Sequence, residues 1–150
     1  MSASPGKSYY AFTMDSVRTS IPNPKEITVF LVDDSLIVRA RIMTMLGDLD
    51  RVVIVGHAPS SEEAMSAIAT LNPNIVILDV QLPGASGIEL LREIKKNRPA
   101  PIAIMFTNFP FAQIRKECLE AGADYFFDKS RDFEKITQVL GSMTEQRAVS

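Results

Sequence analysis

Tryptophan is missing from this chain, and cysteine appears once, as Cys118. One thiol cannot close a disulfide within the chain or supply a thiolate cage for zinc, so Cys118 is expected as a buried or half-buried thiol. No apolar run approaches the roughly 18 residues that cross a bilayer. The start Met1-Ser2-Ala3-Ser4-Pro5-Gly6 lacks the apolar stretch of a secretory signal, and a soluble, cytoplasmic protein with no membrane partner is the expectation. An excess of charge is also lacking. Lys and Arg total 16 against 18 for Asp and Glu, and a net charge of -2 offers no general attraction to nucleic-acid phosphates. With 7 Gly, 9 Pro and 46% hydrophobic residues, the composition excludes a collagen and a wholly disordered chain. A length of 150 residues suits one domain.

Residues 1–26 are rich in Ser, Pro and Lys, and Tyr9, Tyr10, Phe12, Met14 and Val17 hold neither helical nor strand spacing for long. They read as a flexible leader. Gly6-Lys7-Ser8 has the tail of a phosphate-binding loop, but Met1 stands where that motif needs its first glycine and no strand precedes it. Pro22 and Pro24 punctuate the chain before an apolar run opens at Ile27, where the domain of residues 27–147 is expected to start, with 148–150 as a tail.

From there, runs rich in β-branched residues alternate with stretches of helical period, the pattern of a parallel sheet covered by helices. The expected strands are Thr28 to Val32, Val52 to Val55, Asn74 to Asp79, Pro101 to Phe106 and Asp124 to Phe127. The unbroken apolarity of Ile75-Val76-Ile77-Leu78 suits a strand buried on both faces. Ser35 is placed to cap a first helix burying Ile37, Ile42, Met45 and Leu46. Ser60 and Glu63 form a capping box for a second helix with Ala64, Ile68 and Leu71 inside. Ile88, Leu91 and Ile94 stripe a third, whose end carries Lys95, Lys96 and Arg98, where the helix dipole favours cations. Ala112 to Ala121, stopped by Gly122, is a fourth, and Phe133, Ile136, Val139, Leu140 and Met143 mark a fifth.

Open α/β sheets form their crevice outside the carboxyl ends of the strands. The first strand ends in Asp33-Asp34-Ser35, the third in Asp79, the fourth in Thr107-Asn108, and Asp128-Lys129-Ser130 follows the fifth. If these strands are close neighbours, three acids meet one lysine. Two carboxylates about 4 Å apart repel by about 1 kcal/mol in water and about 4 at an effective dielectric of 20, so such a cluster needs a cation. Lys129 alone leaves it short by two charges. A divalent ion closes the gap, and all-oxygen ligands suit Mg²⁺ better than zinc. Taken singly, each acid reads as a helix cap or strand end; taken together they do not.

Asp33-Asp34, Asp79 followed by Leu82-Pro83-Gly84 and Gly87, Thr107 and Lys129 resemble, in order, the signature of two-component response regulator receiver domains, over about residues 27 to 147. The resemblance implies a flavodoxin-like (βα)5 fold with strand order 2-1-3-4-5. It implies that Asp79 accepts a phosphoryl group from a histidine kinase or phosphotransfer protein, and that Asp34 and Asp79 ligate Mg²⁺ directly. Asp33 would act partly through water, and the backbone carbonyl of Gln81 would complete the protein ligands. Lys129 would offset phosphoryl charge, with Thr107 and Phe126 as the switch. The chain would act as a stand-alone receiver whose fourth helix, fifth strand and fifth helix meet a downstream protein or a second copy.

Three departures from the family pattern stand out. Ser130 replaces the usual proline after the lysine, Asn108 replaces a small residue, and Phe109-Pro110 alters the loop into the fourth helix. Phe126 lacks the hydroxyl of the commoner tyrosine and is also plausible as plain core. His57 is read as a loop or edge residue just past the second strand. Two other functions compete. An aspartyl-nucleophile, Mg²⁺-dependent phosphatase would need its two acids separated by one residue, whereas Asp33 and Asp34 are adjacent. A receiver-like interaction module without regulated phosphorylation rests on Asn108 and Ser130 alone.

Overall fold

The computed structural model describes residues 23–149. Five strands, β1 (Ile27–Val32), β2 (Val52–Ala58), β3 (Ile75–Leu78), β4 (Ile102–Thr107) and β5 (Tyr125–Asp128), pair parallel in the order β2-β1-β3-β4-β5. Each is followed by a helix that returns the chain: α1 (Leu36–Gly47), α2 (Ser61–Leu71), α3 (Gly87–Ile94), α4 (Ala112–Glu120) and α5 (Phe133–Val149). This is the flavodoxin-like arrangement, with all five strand C-termini at one rim. Gly6-Lys7-Ser8 and the hydrophobic residues of the leader lie outside the described residues.

Side-chain alternation sends each strand into two cores. Phe30, Val32, Val76 and Leu78 pack with residues of α2, α3 and α4 on one face. Val29, Leu31, Ile75 and Ile77 pack with Ile42 and Leu46 of α1 and with Phe133, Ile136 and Leu140 of α5 on the other. All four residues of β3 are buried, as its apolar run requires. Each such aliphatic side chain contributes about 1.5–3 kcal/mol of transfer free energy.

Ser35 accepts from Val38 N–H, and Ser60 accepts from Glu63 N–H, so both expected caps form. Ser86 caps α3 in the same way, through Glu89 N–H. Lys95 and Arg98 donate to the carbonyls of Pro101, Lys95 and Asn97 around the end of α3. Cys118 is buried, and burial first, with Glu117 adding to it, pushes its thiol up to about 11.

Several expectations need correction. Ile37 and Leu71 are exposed, because Ile37 is five residues from Ile42, off the face that Ile42 and Leu46 share, and Leu71 closes α2 at its solvent end. β2 continues past Val55 through Gly56 and His57 to Ala58. Its register skips Val55, a bulge that sets Gly56 opposite Phe30, where a Cβ would lie 2.9 Å from the Phe30 ring. Glycine here makes room for an aromatic ring; it does not end the strand. His57 therefore lies within the edge strand, exposed, with burial and the Arg39 charge lowering its pKa.

Candidate metal centre

β1 delivers its acids with their backbone pinned. Asp33 N–H donates to Ala58 O at 3.1 Å, and Arg39 of α1 donates to Asp33 O. The Asp33 side chain is fully engaged: Oδ1 accepts from Ser35 N–H at 2.8 Å, and Oδ2 lies 2.6 Å from Lys129 Nζ. Asp34, one residue on, is exposed, and no described residue donates to its carboxylate. On β3, Asp79 N–H continues the ladder to Val32 O, so the acid stands one residue beyond the last apolar position. Its Oδ1 accepts from Gln81 N–H at 3.4 Å and its Oδ2 lies 2.7 Å from Lys129 Nζ.

Lys129 is thus the hinge of the cluster, a buried lysine whose ammonium lies between two buried carboxylates. Burial works against its charge, but the bonds to Asp33 and Asp79 outweigh burial and raise its pKa above the ordinary value. Asp33 shows the reverse balance. Desolvation pushes its carboxyl up, although Lys129 and the Ser35 N–H pull the other way.

Carboxylate oxygens of Asp33, Asp34 and Asp79 lie within 4.8 Å of one another, against the single cation of Lys129. An all-oxygen donor set still two charges short, with the Asp34 carboxylate open, fits a hard divalent cation such as Mg²⁺. Asp34, Asp79, Gln81, Asn108, Phe109 and Lys129 line one cleft of about 840 Å³.

The remaining residues singled out in the sequence fall into two groups. Thr107 is fully buried at the end of β4; its carbonyl accepts from Lys129 N–H at 2.9 Å and its hydroxyl from Phe109 N–H at 3.0 Å. Phe126 lies elsewhere, in the core with Cys118 and Ile114, and the Arg115 guanidinium stands 5.7 Å from its ring centroid. Gly87 is demanded by close approach, since a Cβ there would lie 1.8 Å from the Asp79 carbonyl oxygen. The sequence reading named Asp128 after the fifth strand without a role; its carboxylate accepts from Ser130 N–H and Oγ–H at 2.8 and 2.7 Å. Its signal was present as Asp-x-Ser, the spacing of an Asx turn.

A parallel sheet that gathers acids and one lysine at its carboxyl rim is the architecture of a signalling receiver. The family model for the response regulator receiver domain matches residues 29–141, and the chain belongs to that family. It is 35% identical over 114 residues to a protein-glutamate methylesterase/protein-glutamine glutaminase 1 of Carboxydothermus hydrogenoformans, covering 75% of this chain and 33% of that protein. It is 32% identical over 114 residues to the response regulator GacA of Pseudomonas viridiflava, covering 76% and 53% respectively. The chain therefore spans about a third to a half of the length of these curated relatives. Among solved structures, it is similar to the response regulator domain of Thermotoga maritima CheB, with TM-score 0.70 and 26% identity over 83% of this chain and 98% of that one. A LuxR-family two-component response regulator from Aurantimonas sp. SI85-9A1 gives TM-score 0.73 and 29% identity, covering 81% and 87%. No described helix is long and apolar enough to cross a membrane.

Proposed function

We propose that this receiver takes a phosphoryl group on Asp79 from the phosphohistidine of a histidine kinase or phosphotransfer protein. An Asp79 carboxylate oxygen forms a bond to phosphorus, the phosphorus–nitrogen bond breaks, and the imidazole keeps the electron pair. The observation that carries this reading is Lys129 Nζ bridging Asp33 and Asp79 while Asp34 stays open in the same cleft. The acid cluster fits Mg²⁺, which Asp34 and Asp79 would hold, with Asp33 acting partly through water and the Gln81 carbonyl completing the protein ligands. When bound, it supplies positive charge for the phosphoryl oxygens. Lys129 offsets the rest of that charge. Its compact ammonium on a long stem can follow a carboxylate that becomes an acyl phosphate.

Phosphorylation exchanges one carboxylate charge for about two and adds acceptor oxygens. On β4, the hydroxyl that would answer is that of Thr107, whose carbonyl accepts from Lys129 N–H. In turning to a phosphoryl oxygen it would release Phe109 N–H and loosen the loop into α4. Phe126 beneath α4 would follow, so the α4, β5 and α5 surface is where a downstream protein or a second copy reads the change. Asn108 and Phe109 line the cleft and would limit the size of the donor and the access of water.

Incubation with acetyl phosphate and Mg²⁺ followed by intact mass measurement tests the assignment. The expected result is one phosphoryl adduct, absent in Asp79→Asn and absent without Mg²⁺. No adduct on the wild type, or one that persists in Asp79→Asn, removes the reading.

A further inference from the structure

Lys129 is held from both sides by bonds that converge on residue 128. Asp128 is the last residue of β5, paired in register with Thr107. Its Oδ1 accepts from Ser130 N–H at 2.8 Å and from Ser130 Oγ–H at 2.7 Å. Its carbonyl accepts from Arg131 N–H at 3.1 Å and Asp132 N–H at 2.8 Å. Its own N–H donates to Asp132 Oδ2 at 2.9 Å, and Arg131 Nε lies 3.4 Å from the Oδ2 of Asp128 itself. Asp132, directly before α5, thus sends its carboxylate back across the loop. Every one of these bonds encircles Lys129 without touching its side chain.

Ser130 is exposed, so packing does not select it. A proline at that position would bring no N–H and no hydroxyl, and both donors to Asp128 would vanish. A lysine stem has four rotatable carbons, and holding its ammonium between two buried carboxylates requires a fixed backbone beneath it.

We infer that Asp128, clipped by Ser130, is a positioning residue that sets Lys129 against Asp33 and Asp79, so that the serine is a working substitute for the family's proline. The inference rests on the phosphoryl-acceptor reading of this site.

The test compares wild type, Asp128→Ala, Asp128→Asn and Ser130→Pro in acetyl phosphate reactions followed by intact mass, with Mg²⁺ affinity measured by calorimetry. Asp128→Ala is expected to slow adduct formation about tenfold. Asp128→Asn, whose amide oxygen still accepts from Ser130, should recover most of the rate. Ser130→Pro should fall between them. Mg²⁺ affinity should stay within roughly twofold, since the acids are untouched. A wild-type rate in Asp128→Ala overturns the inference. So does a loss that Asp128→Asn leaves unrepaired and that tracks lost Mg²⁺ affinity or lower melting temperature. A wild type that takes no phosphoryl group at all overturns the Asp79 assignment and this inference with it.

Discussion

The two loops that leave β4 and β5 stand side by side at the same rim and are built in opposite ways. After β5, the carboxylates of Asp128 and Asp132 bind four neighbours within a span of eight residues, and Lys129 reaches two more acids across the sheet. After β4, the side-chain bond is one, from Phe109 N–H to the Thr107 hydroxyl. α4 then begins at Phe111 with no side-chain cap, and the tilted Phe109 and Phe111 rings face solvent. One loop is cross-linked and the other is tethered at a point. Local openings in proteins concentrate where backbone bonds are few and apolar side chains unburied, so the contrast separates a fixed rim from a yielding one.

The strongest way to break that contrast is Lys129→Met. Asp33 and Asp79 would then face each other with no internal cation, and removing one partner of a buried ion pair costs about 3–5 kcal/mol. Urea denaturation at neutral pH should register that loss, and Mg²⁺ should restore more stability to the variant than to the wild type. Equal response of the two proteins to the metal would show that the lysine is not the counterion.

Thr107→Val keeps the shape and removes the one tether. Losing the acceptor of a part-buried Phe109 N–H costs about 0.5–1.5 kcal/mol. Amide exchange should quicken at Phe109 and Phe111 and stay unchanged at Ser130 and Asp132; faster exchange in both loops would mean they are one unit.

Acid sharpens the comparison from the other side. Asp128 is held below its ordinary value first by the Ser130 N–H, and Asp132 first by the Asp128 N–H. Groups depressed in this way add stability above the unfolded value of 3.8 and surrender it as pH falls through their folded values. Melting temperature should therefore drop more steeply below that pH in the wild type than in Asp132→Asn. Parallel acid limbs would count against the cross-linked loop.

Phe111→Ser should do least. Its side chain is 62% exposed, and the expected change in stability is within about 0.5 kcal/mol. A larger loss in a thermal melt would reveal packing by Phe111 that the yielding loop is not expected to have.

The contrast between the loops was only partly legible in the sequence. Strand order came through resemblance, since alternation of apolar runs and helices does not rank strands across a sheet. Asp33, Asp34, Asp79 and Lys129 were legible because charged residues that directly follow apolar strand runs are not required by the core. The second strand was expected to end at Val55, whereas it runs on through Gly56, which yields space to Phe30, a partner 26 residues away. Asn74 was taken into β3, but its carboxamide oxygen accepts from the Thr28 N–H and hydroxyl, a long-range clasp that no local pattern announces. Ser130 stood out as a departure because proline was the expectation; its bond to Asp128 was legible only as the Asp-x-Ser spacing of an Asx turn.

β3 lies in the middle of the sheet with both flanks covered and no residue reaching water until Asp79. On the proposed reading, a phosphoryl group on Asp79 would land at the end of the central, fully buried strand, like a stamp on an anvil. The marked atom itself has little room to travel, so any message must be carried outward by whichever surroundings give way first.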